Sequence, residues 1–218
     1  MILLIIYFRL RLEMQKLSDK RTRELLEAAS YEVRNTEFKS PFAWTGARSR
    51  WLKEQCTRTV LGMSNTRSGG DLVIGIEEGK NKQVRLKGLT DKQVSTFEDY
   101  DGIKGFIDGF ASPNTIFDLS LGIYRNKKFV VFNIQDFEEI PVICRKNGQE
   151  KDILRKDDIY VRSKKAQYST IRAGELELRE IIDMAVDKQH SNLVGRGWVR
   201  ANQFSLSKFY KKQIKDLD

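Results

Sequence analysis

Asn65-Thr66-Arg67-Ser68-Gly69-Gly70-Asp71-Leu72-Val73-Ile74-Gly75-Ile76-Glu77-Glu78 is the stretch that decides the fold. A glycine turn runs into Leu72-Val73-Ile74-Gly75-Ile76, an apolar run rich in β-branched residues and long enough for a buried central strand. That strand ends on two acids. Working outward, Tyr31-Glu32-Val33-Arg34-Asn35-Thr36-Glu37-Phe38-Lys39 is the second anchor. Alternation around Phe38 fits a half-buried strand, with Phe38 turned in and Glu37 and Lys39 sharing the other face. Glu32 and Glu37 are five apart, so on one continuous strand they face opposite ways. For both to reach one site, Arg34-Asn35-Thr36 must turn or bulge.

Carboxylates gathered beside a lysine have a chemical use. Their oxygens are the ligands that hard divalent cations such as Mg²⁺ or Mn²⁺ prefer, and a neighbouring lysine can hold a phosphate or orient a water. Such a site suits phosphodiester cleavage, in which the ion polarises a phosphoryl oxygen. The competing reading is plainer: charged residues on strand faces and at strand ends are usually just solvated.

Glu32, four residues, Glu37-Phe38-Lys39, an apolar helix, then Asn65-Thr66, Gly69-Gly70 and Gly75-Ile76-Glu77-Glu78 together resemble the Schlafen AlbA-2 domain. There, an acid-rich EFK segment precedes an Asn-Thr, Gly-Gly, Ile-Gly-Val-Asp segment. The similarity continues weakly through Ile159-Tyr160-Val161-Arg162-Ser163 and covers roughly residues 20 to 185. The resemblance implies an α+β fold whose mixed, mainly antiparallel sheet is flanked by helices. It also implies a metal-dependent endoribonuclease acting on tRNA-like or structured RNA, with a role in defence or stress response. Carried over residue by residue, the metal-holding acids are Glu32, Glu37 and Glu78, binding Mg²⁺ or Mn²⁺, and Lys39 joins them as the phosphate-stabilising catalytic residue. The third acid is Glu where the family has Asp, and Arg67-Ser68 adds a residue before the glycines. The alternative is a non-catalytic nucleic-acid-binding module that recruits partners or regulates transcription. Schlafen nuclease cores resemble two such lobes joined in a horseshoe, so a one-lobe chain implies a homodimer.

Charge bears on the partner. The formal net charge is +9. Residues 1–23 carry six Lys/Arg against Glu13 and Asp19, residues 189–218 carry six against Asp216 and Asp218, and the middle is nearly neutral. Basic ends on a near-neutral body are suited to gripping a polyanion, RNA or DNA, although basic tails also aid solubility. Arg200, Lys208, Lys211 and Lys212 in the tail, with Arg48, Arg50, Lys53 and Arg58 in or beside a helix near the acids, are the candidate nucleic-acid contacts. Aromatics mixed among the tail's basic residues, Trp198, Phe204, Phe209 and Tyr210, suit base stacking or docking onto the body or a second subunit.

Composition also excludes chemistries. A single histidine, His190, rules out a two-histidine ribonuclease mechanism, and with two cysteines it leaves no ordinary zinc site. Cys56 and Cys144 are too few for a disulfide framework, so a reducing cytoplasm is the expected compartment. Gly75 to Asn81 lacks the spacing and hydroxyl of a phosphate-binding loop. The apolar start, Met1 to Phe8, is far short of the roughly 20 residues a spanning helix needs, and its positive charges follow the apolar run instead of preceding it. It reads as an added strand, a misassigned start or, less simply, a membrane anchor.

The chain divides into an apolar and basic extension over 1–17, a domain over 18–188 and a basic aromatic tail over 189–218. Ser18 or Asp19 caps a helix over 18–30 with Leu25, Leu26 and Ala29 inward. Leu52, Cys56, Val60 and Met63 mark a second helix. Val84 to Gly88 reads as an exposed strand after a turn, and Asp91 to Phe110 as a helix interrupted at Gly102, Gly105 and Gly109. Strands are expected over 116–124, 129–136 and 158–162, with an edge at 141–144. Ser169-Thr170 is expected to cap a last helix through Glu175 to Ala185, carrying Leu176, Leu178, Ile181, Ile182 and Met184.

Overall fold

In the computed structural model, residues 14–27, 34–46, 49–78, 84–164 and 169–195 are described. The centre is a five-stranded sheet of β1 (Gln15–Lys16), β7 (Phe117–Tyr124), β8 (Lys127–Ile134), β3 (Gly70–Ile74) and β2 (Thr36–Lys39), in that spatial order. β1 with β7 and β2 with β3 run parallel, while β7–β8 and β8–β3 are antiparallel. The expected mixed α+β architecture is what forms. Leu72, Val73 and Ile74 of β3 are fully buried because both faces of the sheet are covered. On one face, Val73, Phe129 and Val131 meet Leu25 and Leu26 of α1 (Asp19–Glu27). On the other, Leu72, Ile74, Val130 and Phe132 pack with Cys56, Val60 and Met63 of α2 (Arg50–Ser64) and with Phe97, Ile103 and Ile107.

Local chemistry explains the connections. The Ser18 hydroxyl caps α1 by accepting the Arg21 amide at 3.2 Å. Arg125 and Asn126 both take positive φ, 48° and 59°, which makes the two-residue β7–β8 turn match the twist of its strands.

The long apolar strand expected over 72–76 is in fact two strands. Gly75 has φ +121°, and a Cβ there would stand 2.9 Å from a ring carbon of Phe129. The chain leaves the central sheet at this point, and β4 (Ile76–Glu78) pairs instead with β5 (Val84–Leu86) in a separate hairpin. The helical region over 91–110 is interrupted over 96–99 instead of at Gly102 or Gly105, and it ends at the third expected glycine, Gly109. It forms α3 (Asp91–Ser95), with a Thr90–Gln93 capping box, and α4 (Tyr100–Asp108), which the Asp99 carboxylate opens by accepting the Gly102 amide. Cap chemistry at Thr90 and Asp99 sets the boundaries, so Gly102 and Gly105 lie inside a helix.

Two further expectations are corrected near the end of the domain. Thr170 is not a helix cap: β11 (Thr170–Arg172) pairs antiparallel with β10 (Tyr160–Arg162), so the strand read as the last has a partner beyond it. The final helix, α5, spans Glu175–Gly195. Ile181 and Met184 are buried in it, whereas Leu176 is 55% and Ile182 58% exposed. A short pair, β6 (Ala111–Ser112) with β9 (Ile143–Cys144), forms the expected edge. β1 belongs to the central sheet although it falls before residue 18. Ala29 and the first eight residues lie outside the described residues. Among those described, no helix is long and apolar enough to cross a membrane.

Candidate functional site

β2 separates its side chains as the alternation predicts. Phe38 packs on the α1 side of the sheet, against the cluster around Leu25 and Val73. Glu37 and Lys39 take the other face, toward α2, where the buried Cys56 thiol feels both charges. The Lys39 ammonium donates to Glu37 Oε1, and the Arg162 guanidinium donates to Oε2 at 2.5 Å. The chain turns at Arg34-Asn35 immediately before β2, while Glu32, on the far side of that turn, lies outside the described residues.

Arg162 is the organising residue of this site. Only 2% exposed, it donates to the Arg34 carbonyl from Nε at 2.9 Å and to the Thr36 carbonyl at 3.2 Å. Its Nη1 also donates to Thr170 Oγ1 at 3.3 Å. Arg34 returns the bond, donating from Nε to the Arg162 carbonyl at 2.9 Å, so two arginines stitch the turn before β2 to the end of β10. Glu180 of α5 then ties Arg34 to Lys164, at 3.3 and 2.6 Å.

The electrostatics keep Glu37 ionised. Burial pushes its carboxyl pKa up, but Lys39 and Arg162 together outweigh burial and hold it below its ordinary value. Burial pulls the Arg162 pKa down against the attraction of Glu37; a guanidinium nevertheless remains a cation at neutral pH.

The residues between the anchors build the frame of the site. Asn65 donates to the carbonyls of Val142 and Tyr160 at 2.8 and 2.9 Å and accepts the Val142 amide at 2.8 Å, clipping β10 to the end of α2. Thr66 Oγ1 accepts the Arg162 amide at 3.3 Å. Gly69, at φ +61°, passes so near β8 that a Cβ would lie 1.9 Å from the Ile134 carbonyl oxygen. At Gly70 a Cβ would lie 2.5 Å from the Asn35 carbonyl oxygen, so glycine there leaves room for Asn35 to donate from its side chain to the Gly69 carbonyl at 2.8 Å and to accept the Asp71 amide at 2.8 Å. The Asn-Thr and Gly-Gly signature therefore aligns the Glu37 strand with the Arg162 strand.

Other candidates are placed differently. Glu32, Arg48, Arg200, Lys208, Lys211 and Lys212 lie outside the described residues. Glu78 has its backbone in β4, opposite Val84, and its side chain lies outside the described part. β4 starts beside the end of β2, since the Gly75 amide donates to the Lys39 carbonyl at 2.9 Å. Glu77 pairs with Lys87 at 3.3 Å. Among the described residues, no group of three His, Cys, Asp or Glu side chains converges.

Of the helix cations, Arg58 joins the site's border, donating to the Thr170 carbonyl at 2.7 Å. Arg50 instead pairs with the buried Glu54 at 2.9 Å, and Lys53 lies over the rings of Trp44 and Phe106. Arg162 was not among the candidate site residues. Its only sequence signal is the Tyr-Val-Arg run, which carries no hint that the last residue is buried against Glu37.

The family profile described as Schlafen, AlbA_2 matches residues 32–170, which contain both anchors except Tyr31, the Asn-Thr and Gly-Gly frame and Arg162. This chain belongs to the Schlafen AlbA-2 family. No curated protein matches it. Among solved structures, it is similar to the DIP2311 protein from Corynebacterium diphtheriae, at 15% identity and TM-score 0.46. That likeness covers 74% of this chain but only 28% of the other, so the present chain spans well under half the length of that protein. It is also similar to the N-terminal domain of an ATP-dependent DNA helicase RecG-related protein from Nitrosomonas europaea. There the identity is 16% and the TM-score 0.40, over 62% of this chain and 86% of the other.

Proposed function

We propose that this Schlafen AlbA-2 domain is a divalent-metal-dependent endoribonuclease acting on tRNA-like or other structured RNA, working as a homodimer of two lobes. The observation that carries the reading is the ionised Glu37, fixed in orientation by a buried arginine, with Lys39 on the same strand face. An ionised carboxylate offers about four lone-pair positions, of which Lys39 and Arg162 use two, so Glu37 fits the oxygen-donor chemistry of a hard cation. Glu37 would hold Mg²⁺ or Mn²⁺ together with Glu32 and Glu78. Such an ion, when bound, supplies Lewis-acid polarisation of a phosphoryl oxygen. Arg162 keeps the carboxylate from swinging away, and Lys39 is available to a phosphate oxygen once nucleic acid displaces it from Glu37.

A second reading has its own support. Both Glu37 oxygens already bind cations, as in a structural ion pair, and a non-catalytic nucleic-acid-binding module needs nothing more. Incubating the purified protein with tRNA and Mn²⁺ or Mg²⁺ separates the two. Cleavage that EDTA abolishes and that Glu37→Gln loses, with RNA binding retained, is the expected result. Binding without cleavage under all these conditions overturns the nuclease reading in favour of the module.

A further inference from the structure

Trp51, in the first turn of α2, is 51% exposed, and its indole makes no hydrogen bond or aromatic-ring contact among the described residues. Its neighbours behave differently: Phe42, Trp44, Phe97 and Phe106 close into a packed aromatic group beneath the same helix. A large indole left in water forgoes favourable burial, and an aromatic surface beside cations is the usual composition of a base-stacking platform. The cations are present. Arg58 shares the Trp51 face of α2, whereas Arg50 pairs with Glu54 and Lys53 lies over the Trp44 and Phe106 rings; because Glu54 is fully buried, the helix offers solvent no negative charge.

Spacing connects the indole to the Glu37 site. Trp51, Gln55 and Arg58 stand at i, i+4 and i+7 and share one face of α2, with about 10 Å of rise from first to last. Arg58 ends that row at the Thr170 carbonyl, and the Thr170 hydroxyl meets the same Arg162 nitrogen that holds Glu37. We propose that the Trp51–Gln55–Arg58 face of α2 is a track for an unpaired nucleic-acid strand, with Trp51 stacking on one base and the backbone running toward Glu37. This deepens the nuclease reading by naming the substrate region as single-stranded, and it rests on that reading only for the chemistry at Glu37.

The test is binding of fluorescent oligouridylate, oligothymidylate and a blunt RNA duplex, measured with EDTA present so that cleavage plays no part. Trp51→Ala is expected to weaken single-strand binding by about 5- to 150-fold, while Trp51→Phe keeps most of it and duplex binding is unchanged. Equal loss with RNA and DNA strands identifies base stacking as sufficient; a loss confined to RNA adds a ribose contact near the indole. Unchanged single-strand binding by Trp51→Ala overturns the proposal and leaves the nuclease reading standing. Weakened binding in a protein that never cleaves preserves the track and removes the nuclease. A Trp51→Ala protein that melts at lower temperature, or that loses self-association with its nucleic-acid affinity intact, shows the indole to be a packing or dimer contact and also overturns the proposal.

Discussion

Replacing Arg162 with lysine keeps the charge and removes the geometry. The guanidinium serves four acceptors from three nitrogens: the Arg34 and Thr36 carbonyls, Glu37 Oε2 and Thr170 Oγ1. An ammonium is a point donor and cannot span the two carbonyls and the carboxylate together. Two buried acceptors then lack partners, each costing about 1–3 kcal/mol before relaxation. Glu37 retains Lys39, which limits the electrostatic part of the loss. We expect Arg162→Lys to lower the unfolding free energy by about 2–4 kcal/mol in urea titrations followed by far-UV circular dichroism, with the slope unchanged. A double-mutant cycle with Glu37→Gln should give a coupling of about 0.5–3 kcal/mol, because the two side chains are in direct contact. A loss below about 0.5 kcal/mol, or no coupling, would refute Arg162 as the residue that holds the site together.

Glu37→Gln also has a pH signature. The folded carboxyl lies below its ordinary 4.5, so its ionisation stabilises the fold above that pH and the contribution is lost as pH falls through the depressed value. Parent and mutant should therefore differ most in stability near neutrality and converge in acid; a gap that widens on acidification contradicts the assignment. Burial raises the Cys56 thiol to about 12 and the Cys144 thiol to about 11, so neither should react with a thiol reagent at pH 8 until the protein unfolds. Gly69→Ala meets both a left-handed backbone and the Ile134 carbonyl and should cost more than about 2 kcal/mol, whereas Gly105→Ala, with open space around its Cβ inside α4, should gain about 0.5–1 kcal/mol. Thermal melts of the two variants check the contrast.

Sequence by itself determined what depends on neighbours a few residues apart. The alternation around Phe38 placed Phe38 and Glu37 on opposite faces, the run at Leu72–Ile74 marked a strand covered on both sides, and Leu25, Cys56, Val60 and Met63 marked inward helix faces, since periodicity is a local property. The motif spacing was also enough to identify the family. Tertiary structure alone decided the rest. The close approach of Phe129, more than fifty residues later in the chain, leaves no room for a side chain at Gly75, where the strand breaks. Thr170 reads locally as a helix cap, but β10 lies beside it and makes it a strand. Glu37 and Arg162 are separated by 125 residues, so no window of sequence shows that the carboxylate is ionised and pinned by a buried guanidinium. Long-range packing brings such pairs together, and burial then magnifies each charge's influence on the other.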